Sequence, residues 1–290
     1  MYLLVIRRNT NSMYKIIVDS CGELTEDMKN DGHFVNVPLT LEVEGEMIID
    51  DETFDQASFL KKVEESKTAP KSACPSPNAY MLELDCAADN IYVVTLSAQL
   101  SGSYNSACLA KDLYEEEDSS KNIHIFDSKS ASIGETLIAI KIAECENAGM
   151  SFEEVVAAVD SYIAEQHTFF VLETLETFRK SGRLSNIKAA IAGTLNIKPV
   201  MGSTDEGNVQ QLAKGRGMAQ ALDKMTKCVM EVTTNCEEKI LAISHCNCPE
   251  RALSLKKKME SMAKFKDIFI VDTRGVSTMY ASDGGVIMVV

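Results

Sequence analysis

The sequence predicts an α/β protein in two parts: an N-terminal parallel, Rossmann-like sheet with helices over 13–165, and a C-terminal mixed or antiparallel sheet with helices over 166–290. Three observations carry this. The apolar runs KIIV (15–18), IYVVTL (91–96) and IHIF (123–126) each end in a short polar loop and then a helical pattern. Past Ser151 that pattern gives way to a hairpin signal mixed with helices and further short strands. The length, 290 residues, suits two domains, and 45% hydrophobic content is enough to fill both cores.

In the N-terminal part, KIIV leads into Asp19, Ser20, Cys21 and Gly22, IYVVTL into Ser97–Ser103, and IHIF into Asp127–Ser130. The segments YNSACLAKDLYEE and IGETLIAIKIAECENA follow the second and third loops, with apolar residues recurring at three and four. Strand, loop and helix in repetition give parallel strands with crossover helices. Ser151 and Glu154 form a capping box that opens a helix over SFEEVVAAVDSYIAEQ, bridging the two halves. TFFVLE then reads as a strand, and LETFRKSGRLS as a short helix ended by Gly182. IKPVMGSTDEGNVQQLA reads as a hairpin about DEG. Helices follow in GMAQALDKMTKCVMEV and PERALSLKKKMESMAK, and strands in KILAIS, DIFIVDT and GVIMVV.

A net charge of -14 disfavours nucleic acid and anionic membrane surfaces, which require clustered cations. MYLLVI precedes Arg7 and Arg8, the reverse of a secretory signal, and no apolar run has transmembrane length; a cytoplasmic protein without stable membrane insertion is expected. Residues 1–12 read as an upstream start or a loose extension. Nine scattered cysteines suit reduced thiols. His245, Cys246 and Cys248 with Cys236 lack paired zinc-ligand spacing, so no metal is expected. No nucleotide motif is present, and no cofactor is expected.

Ligands of parallel α/β sheets bind beyond the carboxyl ends of the strands. The loop holding Ser97, Ser101, Gly102 and Ser103 offers hydroxyls and helix-start amides there, which suit a carboxylate or another anion. Plain helix capping is the alternative use of these residues. A second alternative is a serine-dependent hydrolase or phosphotransferase acting on a small acidic substrate, with Ser97 as nucleophile and His245 as base. Ser97 does not lie in a G-x-S-x-G elbow. Aromatic content of 6% and the absence of Trp favour a flexible aliphatic cargo over a stacked ring.

The segments KIIVDSCGELT, KSACPSP, VVTLSAQLSGSYNSA, IFDSKSASIG and LETLETFRKSGRLSNIKAAIAGTLNIKPVM resemble, in order and over nearly the whole chain, the DegV family of bacterial fatty-acid-binding proteins. The resemblance implies a two-domain α/β protein that is not itself an enzyme. It would hold a fatty acid by its carboxylate and serve as the acyl-carrying partner of a fatty acid kinase. Ser72 stands where the family has the Thr that contacts the carboxylate, and Ala73 replaces a second hydroxyl. Ser97 is the further carboxylate contact by this resemblance, with Ser101 and Gly102 shaping the loop. Arg183 matches the arginine of the family's G-G-R-I-S segment, within a local basic cluster of Arg179, Lys180, Arg183 and Lys188. The family's His-x-Gly-Pro-Gly ending is replaced here by TRGVSTMYASDGG, which leaves Arg274, Ser277 and above all Tyr280 as candidates for the missing contact.

Overall fold

The computed structural model describes residues 14–184 and 196–290, so the readings of residues 1–13 and of Lys188 lie outside the described residues. The first strands and helices are β1 (Tyr14–Asp19), α1 (Glu26–Asp31), β2 (Phe34–Val37), β3 (Thr40–Val43), β4 (Glu46–Ile49), α2 (Gln56–Glu65) and β5 (Lys71–Ala73). They are followed by α3 (Pro77–Leu84), β6 (Asn90–Thr95), α4 (Ser103–Glu117), β7 (Asn122–Asp127), α5 (Ile133–Asn147) and α6 (Phe152–Glu165). Strands β2-β1-β6-β7 form one sheet, parallel throughout. Its central strands are buried on both faces, which is why they read as unbroken apolar runs. A small antiparallel sheet, β4-β3-β5, stands beside it and carries Ser72 opposite Leu41.

The remaining elements are β8 (Thr168–Val171), α7 (Glu176–Lys180), β9 (Ile197–Ser203), β10 (Val209–Arg216), α8 (Gly217–Val232), β11 (Ile240–His245), α9 (Pro249–Met262), β12 (Asp267–Asp272), α10 (Gly275–Ala281) and β13 (Val286–Val289). They build a mixed sheet, β10-β9-β8-β13-β11-β12, in which only β11 and β12 run parallel. This is the α/β architecture expected, a parallel sheet followed by a mixed one. Local signals account for many boundaries: the capping box at Ser151 is formed, and Gly182 follows α7 in the left-handed region at φ +78°.

Helix α5 joins the two sheets. It is apolar nearly all round, and Ile133, Leu137, Ile138, Ile140 and Ile142 are buried. One core holds Ile16, Val18 and Tyr92 of the first sheet, this helix, and Ala242 and Val289 of the second. Two sheets sharing one helix as a common wall leave a crevice where their loops meet.

Two parts of the fold carry no sequence signal. Strands β2 to β5 have three or four residues each, too few for periodicity to register. Helix α10 lies in the Gly- and Thr-rich ending, and its start has no cap from its own neighbours. Asp50, distant in sequence, accepts the Val276 N–H at 2.9 Å instead.

Candidate functional site

Between the sheets lies a cavity of about 320 Å³, at the lower end of the range for small-molecule pockets. Its wall is mostly apolar: Leu39, Leu96, Leu100, Phe170, Leu172 and Phe178 contribute, with Val276 and Ile287 beyond. Ser72, Cys74, Ser101 and Gly102 form a polar stretch contributed by β5 and the loop before α4. Among the described lining residues there are two cations, Lys129 and Arg183, and no Asp or Glu.

Each polar group has a local reason for its place. The Ser72 hydroxyl has no hydrogen-bond partner among the described residues, nor has the amide N–H of Gly102, the residue that stands before α4 and gives it no side-chain cap. The Ser101 hydroxyl accepts the Ser103 N–H at 3.2 Å and keeps its own proton for another partner. Arg183 donates from Nε to the Leu100 carbonyl at 3.0 Å and from Nη1 to the Ser181 carbonyl at 3.1 Å. It thereby ties the α7 segment to the serine loop. Its guanidinium lies 6.0 Å from the centre of the Tyr280 ring. Lys129 is exposed, held with φ at +51° while its N–H donates to Asp127.

The arrangement brings Ser72, Ser101, Gly102, Arg183 and Tyr280 to one cavity. Ser97 is placed differently. It is fully buried, does not line the cavity, and donates its hydroxyl to the Gly207 carbonyl at 2.8 Å. In this structure it stitches the serine loop to the β9–β10 turn, because that turn folds over the loop from the other sheet. Arg179 pairs with Glu176 on the surface, the helix-end role open to it. Arg274 donates to the Asp51 carbonyl and Ser277 to the Cys21 carbonyl, which leaves Tyr280, whose ring packs on Phe178, as the residue of that trio whose polar group has no partner among the described residues.

The hydrolase reading is not supported. His245 is buried, its Nδ1 accepts the Cys248 N–H at 3.3 Å and lies 3.3 Å from Asp272, and burial lowers its pKa. It does not line the cavity, and the Ser97 proton is already committed to Gly207. Lys129 and Asn208 are wall residues that the sequence reading did not single out. Lys129 was reachable, since it follows a strand in the parallel sheet. Asn208 was not, because only the packing of the second sheet brings its hairpin across.

Behind the wall lies a group of buried acids. Glu23 accepts the Ser132 hydroxyl at 3.0 and 2.8 Å, and Asp50 accepts the Ser20 hydroxyl at 2.9 Å. Burial pushes the Glu23 carboxyl up to about 8 and the Asp50 carboxyl up to about 6. A carboxyl whose pKa is raised on folding contributes stability that is full below its unfolded value and lost as pH rises through the folded one. The window here runs from the ordinary carboxyl range to about 8. The melting temperature is expected to fall by roughly 5 °C between about pH 5 and about pH 8.5, and Glu23→Gln should flatten that slope. A calorimetric pH series on both proteins checks it; parallel slopes would remove Glu23 from the account.

Fold and site together define an α/β binding protein with an apolar, cation-flanked cavity between its two larger sheets. The chain belongs to the DegV family: residues 13–289 match that family's sequence profile, described as an uncharacterised protein family. A DegV domain-containing protein of Streptococcus gordonii is 35% identical over 281 residues, which cover 95% of this chain and 98% of that one. Among solved structures, a DegV family protein from Ruminococcus gnavus refined with vaccenic acid superposes with a TM-score of 0.94 at 56% identity, covering 96% of this chain and 99% of that one. The fatty acid kinase B3 protein of Streptococcus pneumoniae, loaded with linoleic acid, superposes with a TM-score of 0.85 at 32% identity, covering 96% and 98%.

Proposed function

We propose that this protein binds one long-chain fatty acid in the cavity between its sheets and presents the carboxylate to a fatty acid kinase for conversion to an acyl phosphate. The observation that carries the proposal is the charge of the wall. In a chain with 43 acidic and 29 basic residues, a cavity bounded by Lys129 and Arg183 and by no described acid is selective for an anion. The carboxylate sits at Ser72, Ser101 and the Gly102 amide, which has no partner among the described residues, with Arg183 and Tyr280 beside it. The tail lies along Leu39, Leu96, Phe170 and Ile287, where each buried methylene contributes roughly 0.8 kcal/mol. The protein supplies the acyl group and its orientation, and the kinase supplies the nucleotide.

Two further parts of the reading have support of their own. All nine cysteines are free thiols, which fits a cytoplasmic setting, and no described helix is long and apolar enough to cross a membrane. The division into domains at 13–165 and 166–290 follows the described sheets, whose strands do not cross that boundary.

Denaturing extraction of the purified protein, followed by mass spectrometry, is expected to release about one fatty acid per chain, and cis-vaccenic acid should raise the melting temperature of the delipidated protein by several degrees. Absence of both effects would remove the proposal. If binding is present, a fatty acid kinase with ATP should then yield an acyl phosphate that hydroxylamine traps.

A further inference from the structure

Behind the serine loop, Asp19, Glu23, Asp50 and Glu135 are each at most 2% exposed. No lysine or arginine among the described residues makes an ion pair with any of them. Asp19 is well supplied with donors: its Oδ1 accepts the Cys21 N–H at 3.1 Å, and its Oδ2 accepts the Leu96 N–H at 2.9 Å and the Ser103 hydroxyl at 2.6 Å. Glu135 is the opposite case. It is fully buried, and neither of its oxygens meets an N–H or O–H donor from a described residue. Yet an oxygen of Glu135, an oxygen of Asp19 and the Cys21 sulfur lie within 4.8 Å of one another. A buried carboxyl without donors, set against a carboxylate rich in them, is satisfied when it carries a proton and gives it to that carboxylate.

The partners of Asp19 give this pair a role. Leu96 is the last residue before the loop that holds Ser97, Ser101 and Gly102, and Ser103 is the first residue of α4 after it. One carboxylate therefore grips both ends of that loop. Gly102 has no side chain with which to cap α4, so the bond from Ser103 to Asp19 fixes the start of the helix instead.

We propose that Asp19 and Glu135 share a single proton and together act as the positioning element of the carboxylate-binding loop. The proposal rests on the fatty-acid reading for the ligand but not for the proton. A proton accounts for the cluster better than a cation does. Asp19 already accepts three hydrogen bonds and the Cys21 sulfur accepts the Ser132 N–H at 3.3 Å, so a cation would find few free lone pairs outside Glu135, whereas one proton needs a single acceptor site on Asp19. Burial raises the pKa of Asp19, Cys21 and Glu135 alike; the Asp19 carboxylate raises that of Glu135 further, while the hydrogen bond from Glu135 lowers that of Asp19, which puts the proton on Glu135.

The titratable groups around the pair are Cys21 and Glu23 from the β1–α1 connection, Asp50 after β4, and Tyr80 on α3, whose hydroxyl bonds Ser103 at 2.6 Å. Arg274 is the cation that acts on this group, through Asp50. None of the others can replace the missing proton with positive charge. Raising the pH removes the shared proton and leaves two carboxylates side by side; they separate, and the loop loses its anchor.

The test uses the full chain as wild type, Glu135→Gln and Ser103→Ala. Gln keeps a donor toward Asp19 but cannot titrate. Wild-type affinity for cis-vaccenic acid is expected to drop on the order of 10-fold as the pH is raised far enough above the ordinary carboxyl range to take the shared proton, and that of Glu135→Gln by less than about 3-fold over the same range. The infrared difference spectrum of wild type minus Glu135→Gln should contain the carbonyl band of one protonated carboxyl, distinct from that of Glu23, and Ser103→Ala should retain that band. Ser103→Ala should bind weakly at every pH, because the loop is released while the pair stays intact. Equal pH losses in wild type and Glu135→Gln, an unchanged carboxyl band, or a stoichiometric divalent cation in the wild type would each overturn the proposal. A wild type that shows the Glu135 band but takes up no fatty acid would support the shared proton and overturn the ligand reading.

Discussion

A Ser72→Ala, Arg183→Ala double variant is expected to bind fatty acid about 100-fold more weakly than the wild type. Each of the two contacts contributes about 1.5 kcal/mol, the low end of charge-assisted bonds, because the polar end of the cavity is partly open to water. Ser72 has no partner among the described residues, so its removal should barely touch the melting temperature. Arg183 has two backbone acceptors, and its loss also frees the Leu100 carbonyl and the serine loop. Arg183→Lys separates these effects: it keeps the charge but loses the planar fork, and should restore only part of the affinity. Displacement of a fluorescent fatty acid measures all three, and a double variant within about 3-fold of the wild type would move the carboxylate elsewhere.

Gly207→Ala should cost about 3 kcal/mol of stability, a fall of roughly 6–10 °C in melting temperature, and weaken ligand binding with it. Gly207 has φ at +88°, where an L-residue is strained. An added Cβ would stand 2.3 Å from the Ser97 hydroxyl oxygen and 2.9 Å from the Lys129 Cα. The second contact is backbone and cannot rotate away. The turn would lift, breaking the Ser97 bond and displacing Asn208 and Val209 from the cavity wall. A thermal melt and a binding titration on the same variant check both parts, and an unchanged melting temperature would mean that the two sheets do not depend on this crossing.

The two results concern different distances along the chain, and the same division governs what could be read in advance. Strands β1, β6 and β7 and helix α8 follow from local pattern, since burial on both faces of a sheet or along one face of a helix imprints apolar residues at fixed intervals. The segment order carried the family resemblance, and with it Ser72, Ser101, Gly102, Arg183 and Tyr280. The short strands of the small sheet left no such imprint, and α10 is started by Asp50 from far upstream.

Ser97 marks the limit. Its position after a strand and before a helix is legible, but the use of its hydroxyl depends on a carbonyl at Gly207, in the other half of the chain. The same holds for Glu135, which in sequence is one polar residue in the first turn of a long apolar helix. What the sequence by itself determined is most of the elements, the serine loop that lines the cavity and the family, because these arise from short-range periodicity and from motifs kept in order. Only the tertiary structure decided which hydroxyls are free, which acids lie together without a cation, and that the cavity wall holds two cations and no described acid. Those properties belong to contacts between residues up to two hundred and more positions apart, whose desolvation and pairing exist only once the two sheets have closed on α5.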